Sequence, residues 1–474
     1  MVERIPKGVL IAAAVLCLPL LAYMASRRPG YFGSPFYLGG ALILEFLVVA
    51  VWLYRRIFFP LVLVVFLLAG TTLPVGEIWI VVRWFFLCAG ALVGAFIMLK
   101  ERRHHFGLFH ALAFFAILAA LVSAIVSRYP RFAMLKAISL LVLFVYAGTG
   151  ARLAVTGREN RFFNGLLTGC EVFVGGIAAC YFLGIEALGN PNSLGAVMGV
   201  VGAPILLWGT LLNDEPSVLL RRQVLSAVAI YLTFHSHSRA GLAAAFVSCG
   251  LLCLALRRYK LLGQGIILVF ILVAGSAILD PDAFSRTVSS FTSSVVYKGK
   301  DPRLGVFSSR QTPWQGAIQS IRNHFWFGTG FGTTDTGQDA SAHLSTFSTT
   351  EGVTAENGSS YLAVTTWVGM AGVLPFFFLL LVLLGKILRT VMWMLDTGNP
   401  SHPAIPLAMV TVAGLIHAGF EDWLFAVGYH LCVFFWSLAF ILVDFTPHSP
   451  LSRLSYRWRS QPLPQGWGRV APSR

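Results

Sequence analysis

The chain has 474 residues, of which 57% are hydrophobic and only 12% are charged. Because soluble domains carry about 25% charged residues, this composition excludes a soluble globular protein and indicates a polytopic membrane protein. The net charge of +15 does not indicate nucleic-acid binding, since the basic residues lie in short clusters between apolar segments, as the positive-inside rule expects.

Apolar runs long enough to cross a bilayer recur along the chain and predict 12–14 transmembrane helices. Their centres lie near residues 17, 45, 63, 89, 116, 142, 175, 203, 226, 248, 270, 373, 411 and 434. Basic clusters alternate with neutral connections such as TTLPVGE and HAGFED, which predicts cytoplasmic termini and places the longest connection outside. Arg27-Arg28 and Arg128 with Arg131 are exceptions on the outer side.

The predicted organisation has four parts. They are transmembrane helices in 1–279, a large outer loop in 280–360, C-terminal transmembrane helices in 361–446 and a basic, disordered cytoplasmic tail in 447–474. The apolar run that follows Lys7 resembles a signal peptide, but with many spans after it an uncleaved first helix is the better interpretation.

The string HSHSRAGLAAAF predicts a helix that begins at Arg239, at its outer end. Ser236, Ser238 and the first backbone amides of this helix are suited to bind an anion, since the helix dipole is positive there. The alternative is that Arg239 extends to lipid headgroups.

The outer loop is the long polar segment of this chain, so we expect it to carry part of the substrate site. Its string SSRQTPWQGAIQSI predicts an amphipathic helix with Trp314, Ile318 and Ile321 on its apolar face. Arg310 stands at the start of this helix. Two arginine side chains, Arg239 and Arg310, would together hold a diphosphate, because each guanidinium matches two phosphate oxygens.

Three further strings leave two interpretations each. In NPNS, Asn190 and Asn192 either cap a helix or bind sugar hydroxyls. WFGTGFGTT either wraps a phosphate with backbone amides or forms a tight surface turn, which we favour. Asp280 and Asp282 flank a proline and either bind a metal or form a turn at the end of a span; no third ligand is evident, and we predict no metal site.

Acidic residues at the outer side are candidates for proton transfer. Glu356, in TAENGSSYL, is either a general base or a solvated loop acid. The rival bases on that side are His235, His237, His324 and His343. The pair Glu421-Asp422 either orients one of the arginines or closes a helix end. We assign Glu421, together with Ser238, Ser360 and Tyr361, to substrate binding.

The order of these strings resembles the O-antigen ligase and O-antigen polymerase superfamily of bacterial envelope glycosyltransferases. The strings are NPNSLG, HSRAG, SSRxxxWxxAxxxIxxxxxFGTGFG and GSSYLAVxxxxGMAG, and the resemblance is strongest from about Asn190 to Pro375. It implies an all-α, GT-C-like protein of the bacterial inner membrane with a large periplasmic loop that contains short amphipathic helices. The implied donor is a glycan on undecaprenyl diphosphate, with no metal or other cofactor and no nucleic acid.

The resemblance also assigns roles to single residues. It implies that Arg239 and Arg310 bind the donor diphosphate. The ligases of the family carry a His directly before the [NS]SYL string, whereas this chain has Glu356-Asn357-Gly358 before SSYL. We therefore assign the base of an inverting transfer to Glu356. Ligases pass the glycan to lipid A-core and polymerases to another lipid-linked repeat, and both remain open.

Two other classes of function compete with this interpretation. One is a flippase or other transporter of lipid-linked sugars, and the other is a non-catalytic component of a polysaccharide export complex. Transporters commonly consist of two repeated halves, and this sequence shows no such repeat. A glycosyltransferase is therefore the favoured prediction.

Overall fold

The structure is a computed structural model that describes residues 58–71, 76–101, 106–265, 308–333 and 357–447, with gaps at 186, 189–190 and 213–214 and a few isolated positions besides. Long helices account for most of these residues, and no β-strand occurs among them. The helices are α1 (Phe58–Ala69), α2 (Gly76–Glu101), α3 (Leu108–Val126), α4 (Pro130–Val155), α5 (Glu159–Phe182), α6 (Pro191–Thr210), α7 (Pro216–His235), α8 (Arg239–Ala255), α9 (Ser308–Asn323), α10 (Ser360–Thr397), α11 (Ala404–Ala418) and α12 (His430–Phe445).

Within the described residues, seven helices are long and apolar enough to cross a membrane, namely α2 to α7 and α10. Helices α1, α8, α11 and α12 are apolar but shorter. Eleven of the fourteen predicted runs coincide with these helices, whereas those centred near residues 17, 45 and 270 fall mainly on residues outside the described part. The predicted all-α polytopic membrane fold is confirmed.

Helix α9 lies where the loop sequence predicts an amphipathic helix, but one position of its buried face was predicted wrongly. Ile318 is 43% exposed, whereas Ala317 is 3% exposed and Arg310 is 9% exposed. The covered stripe therefore runs through Arg310, Trp314, Ala317 and Ile321, at helical spacing. The hydrophobic pattern missed this orientation because a charged residue belongs to the covered face.

Helix α8 crosses α6 at glycines, which brings the NPNSLG string against the HSRAG string. A Cβ on Gly195 would lie 2.3 Å from Ser236 Oγ, and a Cβ on Gly241 would lie 2.4 Å from the carbonyl oxygen of Gly195. Small residues at such crossings let two membrane helices approach backbone to backbone. The start of α8, and with it Arg239, is therefore fixed against the start of α6.

Helix α10 is broken at Gly369, where φ is 68° and ψ is −178°. The break removes helical hydrogen bonds, and the turn that follows α9 replaces them. Segments 325–330 and 366–371 are joined by four backbone hydrogen bonds of 2.8–3.2 Å, which we call the loop–helix pairing. Backbone groups of a membrane-spanning helix need partners within the protein, and this pairing supplies them at the break.

The loop–helix pairing corrects the interpretation of the WFGTGFGTT string. The predicted surface turn is a buried turn from Gly328 to Thr333. The amides of Thr329 and Gly330 donate to the carbonyls of Thr366 and Trp367. These two amides are therefore engaged by α10, which argues against the alternative that they wrap a phosphate.

A buried ion cluster joins α5 to α7. Glu171 Oε1 lies 2.8 Å from Arg222 Nε, and Glu171 Oε2 lies 2.7 Å from Arg221 Nη2. The Arg222 side chain is 10% exposed and that of Arg221 is 57% exposed. The two arginines therefore share one carboxylate but differ in their access to solvent or headgroups.

We expect Glu171→Gln to destabilise the fold by about 3 kcal/mol, because it leaves the charge of Arg222 buried without its carboxylate. The matched control Arg221→Gln removes the exposed partner and should cost no more than about 1 kcal/mol. Thermal unfolding in detergent measures both changes. Equal shifts for the two variants would contradict the assignment of Arg222 as the buried charge.

Candidate anion-binding site

The site is centred on Arg310, in the first turn of α9. Its Nη2 forms an ion pair with Glu421 Oε1, in the connection from residue 419 to 429 between α11 and α12. Asp422, the next residue of this connection, accepts a hydrogen bond of 3.0 Å from the amide of Asn357 through Oδ2. The acid pair thus ties the loop helix and the start of α10 to the last connection. For Glu421-Asp422, the sequence left two interpretations, orientation of an arginine or closure of a helix end, and the ion pair with Arg310 agrees with the first.

Arg239 is the first residue of α8, and two serines shape the turn before it. Ser238 Oγ accepts a hydrogen bond of 3.2 Å from the amide of Gly241 and caps the helix. Ser236 Oγ donates to the carbonyl of Thr233 at 2.7 Å and accepts from the amide of Ser238 at 3.3 Å. Both side chains are buried and serve the turn, so direct binding of substrate by Ser238 stays a prediction.

The structure brings the two predicted arginines to the same end of the helical bundle. Arg239 lies within electrostatic range of Arg310, although 71 residues separate them along the chain. Because Glu421 already compensates the charge of Arg310, the site presents the positive charge of Arg239 beside the Arg310–Glu421 ion pair. Binding of a diphosphate by these two arginines stays a prediction.

The GSSYL string begins α10 and fixes the 419–429 connection. Ser360 Oγ donates to the carbonyl of Glu421 at 2.6 Å and accepts from the amide of Leu424 at 3.0 Å. Tyr361 Oη donates to the carbonyl of Leu415 at 2.7 Å, and its side chain is about one third exposed. Ser360 therefore positions the segment that carries Glu421, and contacts of Ser360 and Tyr361 with substrate stay predictions.

Tyr429 was not singled out by sequence reasoning, yet it connects the NPNS string to Glu421. It hydrogen-bonds to Ser193 and lies within electrostatic range of Glu421. Burial raises the pKa of Tyr429 above its ordinary value; the Ser193 hydrogen bond opposes this rise and the Glu421 charge adds to it. Tyr429 is therefore neutral at physiological pH. Asn192, beside Ser193, lies in the first turn of α6 and is half-buried.

His417, near the end of α11, is a second residue that sequence reasoning missed. Its Nδ1 accepts a hydrogen bond of 2.7 Å from Trp423 Nε1, so the ring proton resides on Nε2. The ring is 2% exposed and lies within electrostatic range of Arg310. A histidine within an apolar run was the signal available in the sequence, because polar groups inside a membrane are candidates for function.

Several predicted residues lie outside the described part of the chain. They are Asn190, Asp280, Asp282, His343 and Glu356. The roles proposed for them, including that of Glu356 as the base, therefore stay predictions. Among the described residues, no group of three or more His, Cys, Asp or Glu side chains is arranged to hold a metal ion.

The fold defines a polytopic helical membrane protein, and Arg239 and Arg310 lie near each other within it. Residues 224–377, about a third of the chain, match the family model for O-antigen ligase. The matched segment runs from α7 into α10 and includes Arg239 and Arg310, so the predicted resemblance to the O-antigen ligase and polymerase superfamily is confirmed. No curated protein matches the chain.

Proposed function

We propose that the protein is a membrane glycosyltransferase that moves a glycan from undecaprenyl diphosphate to an acceptor hydroxyl. The family match supports glycosyltransferase chemistry of the ligase or polymerase type. The observation that carries the finer proposal is the placement of Arg239 and Arg310 at one site, although they come from distant helices. The active site faces the periplasm in this proposal, and both termini are cytoplasmic.

The reaction breaks the bond between the anomeric carbon and the diphosphate oxygen, and forms a bond from that carbon to the acceptor oxygen. The leaving diphosphate takes the bonding electron pair, so negative charge grows where Arg239 and Arg310 lie. Fixed positive charges at that place stabilise the transition state more than the ground state. The acceptor proton passes to a base, and attack opposite the leaving group inverts the anomeric carbon. Glu356 stays our proposal for this base.

Glu421 has a definite place in this mechanism. Its carboxylate pairs with one guanidinium nitrogen of Arg310, which holds the planar fork in one orientation. The connection that carries Glu421 is in turn fixed by Ser360. The donor diphosphate therefore meets an arginine whose direction is set before binding, and less conformational entropy is lost when it binds.

One observation favours a transporter as the second candidate, namely the break of α10 at Gly369, because broken helices are common at the substrate sites of transporters. In this protein, however, the segment from 325 to 330 occupies the broken backbone through the loop–helix pairing. The break therefore holds the segment after α9 in place and does not line an ion path. A glycosyltransferase remains the proposed function.

The experiment is a transfer assay with the purified full-length protein, lipid-extracted undecaprenyl diphosphate glycans and a metal chelator. We expect free undecaprenyl diphosphate to appear together with the glycan on a new carrier, both measured by mass spectrometry. Movement of intact lipid-linked glycan across a vesicle membrane, without release of the diphosphate, would support a transporter instead. Dependence of transfer on added divalent cation would refute the metal-independent mechanism.

A further inference from the structure

A groove lies between α1 and α5, which we call the α1–α5 groove. It is a cavity of about 640 Å³, a volume within the range of sites that hold a small molecule. Residues of α6 and α12 form its floor, namely Val197, Val201, Ile205, Leu431 and Phe434. Its two sides meet at one end, where the rings of Phe59 and Phe162 lie edge to face with centroids 5.1 Å apart.

The α5 side of the groove carries small and polar residues. Asn164, Gly165, Thr168 and Gly169 line it, and all four are exposed. Their spacing places them on one face of the helix. A Cβ on Gly165 or on Gly169 would meet nothing within 4 Å. This face therefore leaves room for an elongated ligand and offers it two hydrogen-bonding side chains.

Two arginines line the groove where α5 begins. Arg158 immediately precedes the helix, and the exposed Arg161 lies in its first turn. Glu159, between them, is not among the residues that line the groove, and its Oε1 accepts a hydrogen bond of 3.0 Å from the amide of Gly157. The groove therefore has positive charge at one end and mostly apolar walls along the rest.

The charged end of the groove is remote from Arg239. Helix α5 has 24 residues and is about 36 Å long. Its last turn carries Tyr181, whose hydroxyl oxygen lies 2.7 Å from Nδ1 of His235, four residues before Arg239. Arg158 and Arg161 therefore lie near the opposite membrane surface from Arg239, and an anion that they bind is not the diphosphate proposed for the donor.

The length of the groove corresponds to one leaflet of a bilayer. Its lining on α5 extends from Arg161 to Phe173, which is about 18 Å along the helix axis. Half of a hydrocarbon core is about 15 Å thick. Basic side chains near a membrane surface attract anionic headgroups. A lipid with its headgroup at Arg161 therefore has a chain long enough to follow the groove.

We propose that the α1–α5 groove binds one anionic phospholipid from the leaflet at its charged end. The two arginines hold the phosphate. Asn164 and Thr168 donate hydrogen bonds to the ester oxygens, and one acyl chain covers Gly165 and Gly169. The lipid takes no part in glycan transfer, so this inference does not rest on the proposed function. It fills the space between α1 and α5 and stabilises the protein.

The experiment is photo-crosslinking of the full-length protein in detergent. The probe is a phosphatidylglycerol with a diazirine in one acyl chain, and mass spectrometry of peptides locates the adducts. We expect adducts on residues 59–67 of α1 and 161–173 of α5. The same probe with a phosphocholine headgroup should give roughly tenfold fewer adducts there, because it has no net negative charge to interact with the two arginines.

Gly165→Leu fills the groove and should lower the yield of adducts by roughly tenfold or more, because its side chain occupies the place of acyl methylenes. The matched control is Gly176→Leu. Gly176 is an exposed glycine of the same helix with nothing within 4 Å of its Cβ, and it does not line the groove. This control should give adducts at the unmodified yield.

Arg161→Gln tests the headgroup contact and leaves the groove open. It should lower the yield of the phosphatidylglycerol probe about fivefold and leave that of the phosphocholine probe unchanged. Its control is Arg258→Gln, at an exposed arginine just after α8, which should change neither yield. If Gly165→Leu does not fold, the result for Arg161→Gln decides.

The melting temperature in detergent is a second measurement. Phosphatidylglycerol should raise it for the unmodified protein and for Gly176→Leu but not for Gly165→Leu, since a ligand stabilises only a protein that binds it. Unchanged adduct yields in folded Gly165→Leu or Arg161→Gln would overturn the site. Equal yields from the two probes would overturn the anionic headgroup. Stronger competition by undecaprenyl phosphate than by unlabelled phosphatidylglycerol would assign the groove to a prenyl chain and overturn the proposal.

Discussion

Arg310→Gln is expected to lower the rate of glycan transfer by a factor of roughly a hundred or more. Removing one preorganised donor from developing negative charge typically costs about 3 kcal/mol of transition-state stabilisation. Gln keeps a polar side chain but has neither the charge nor the fork that binds two oxygens of a phosphate. The measurement is the initial rate of undecaprenyl diphosphate release at saturating donor.

The control for this prediction is Arg322→Gln, an exposed arginine near the end of the same helix. It should transfer glycan at the unmodified rate. Arg310→Lys retains the charge but lacks the planar guanidinium, so its rate of glycan transfer should lie between those of Arg310→Gln and Arg322→Gln. Because Arg310 pairs with Glu421, the melting temperature of each variant must be measured as well. Unchanged transfer in folded Arg310→Gln and Arg239→Gln proteins would refute the role of these arginines in binding the diphosphate.

The second large effect is expected for Gly369→Ala, which should destabilise the protein by about 3 kcal/mol. The backbone at Gly369 has a conformation that is open essentially to glycine alone. A Cβ there would also lie 2.4 Å from the backbone of Trp326, so the loop–helix pairing must separate. We expect a lower melting temperature in detergent and a loss of transfer, since α9 and Arg310 depend on that pairing.

The same helix supplies the control. Nothing lies within 4 Å of a Cβ at Gly385, so Gly385→Ala should be neutral or slightly stabilising. If Gly369→Ala melts at the temperature of Gly385→Ala, the pairing contributes little to stability. If it melts lower but transfers glycan at the full rate, Arg310 does not depend on the pairing for its position.

The features that could be predicted from the sequence depend on local rules. A membrane span needs about twenty consecutive apolar residues, so helices such as α3 and α5 are visible in the sequence itself. The start of α8 at Arg239 was predicted from the HSHSRAGLAAAF string, and the cap that Ser238 forms there involves residues only three positions apart. Arg239 and Arg310 were predicted as a pair because each guanidinium matches two phosphate oxygens, and the family resemblance implies the same role.

The remaining features depend on contacts that no spacing rule describes. Glu421 is 111 residues from Arg310, and Tyr429 is more than 200 residues from Ser193. Which acid meets which arginine is decided by the packing of whole helices. The exposure of Ile318 was not predicted for a related reason. The covered face of α9 includes Arg310, which contacts the carboxylate of Glu421, so the face does not follow the apolar residues alone.

The loop–helix pairing has a consequence for synthesis of the protein in the cell. When the nascent chain leaves the ribosome, the turn at residues 328–333 emerges before the backbone at 366–371 that it must pair with, and Glu421 emerges later still. The loop–helix pairing therefore forms only after residues 366–371 have entered the bilayer, and the ion pair of Arg310 forms only after Glu421 has followed. Arg310 therefore pairs with Glu421 only when insertion is nearly finished, and if the two arginines bind the donor as we propose, incomplete chains are inactive.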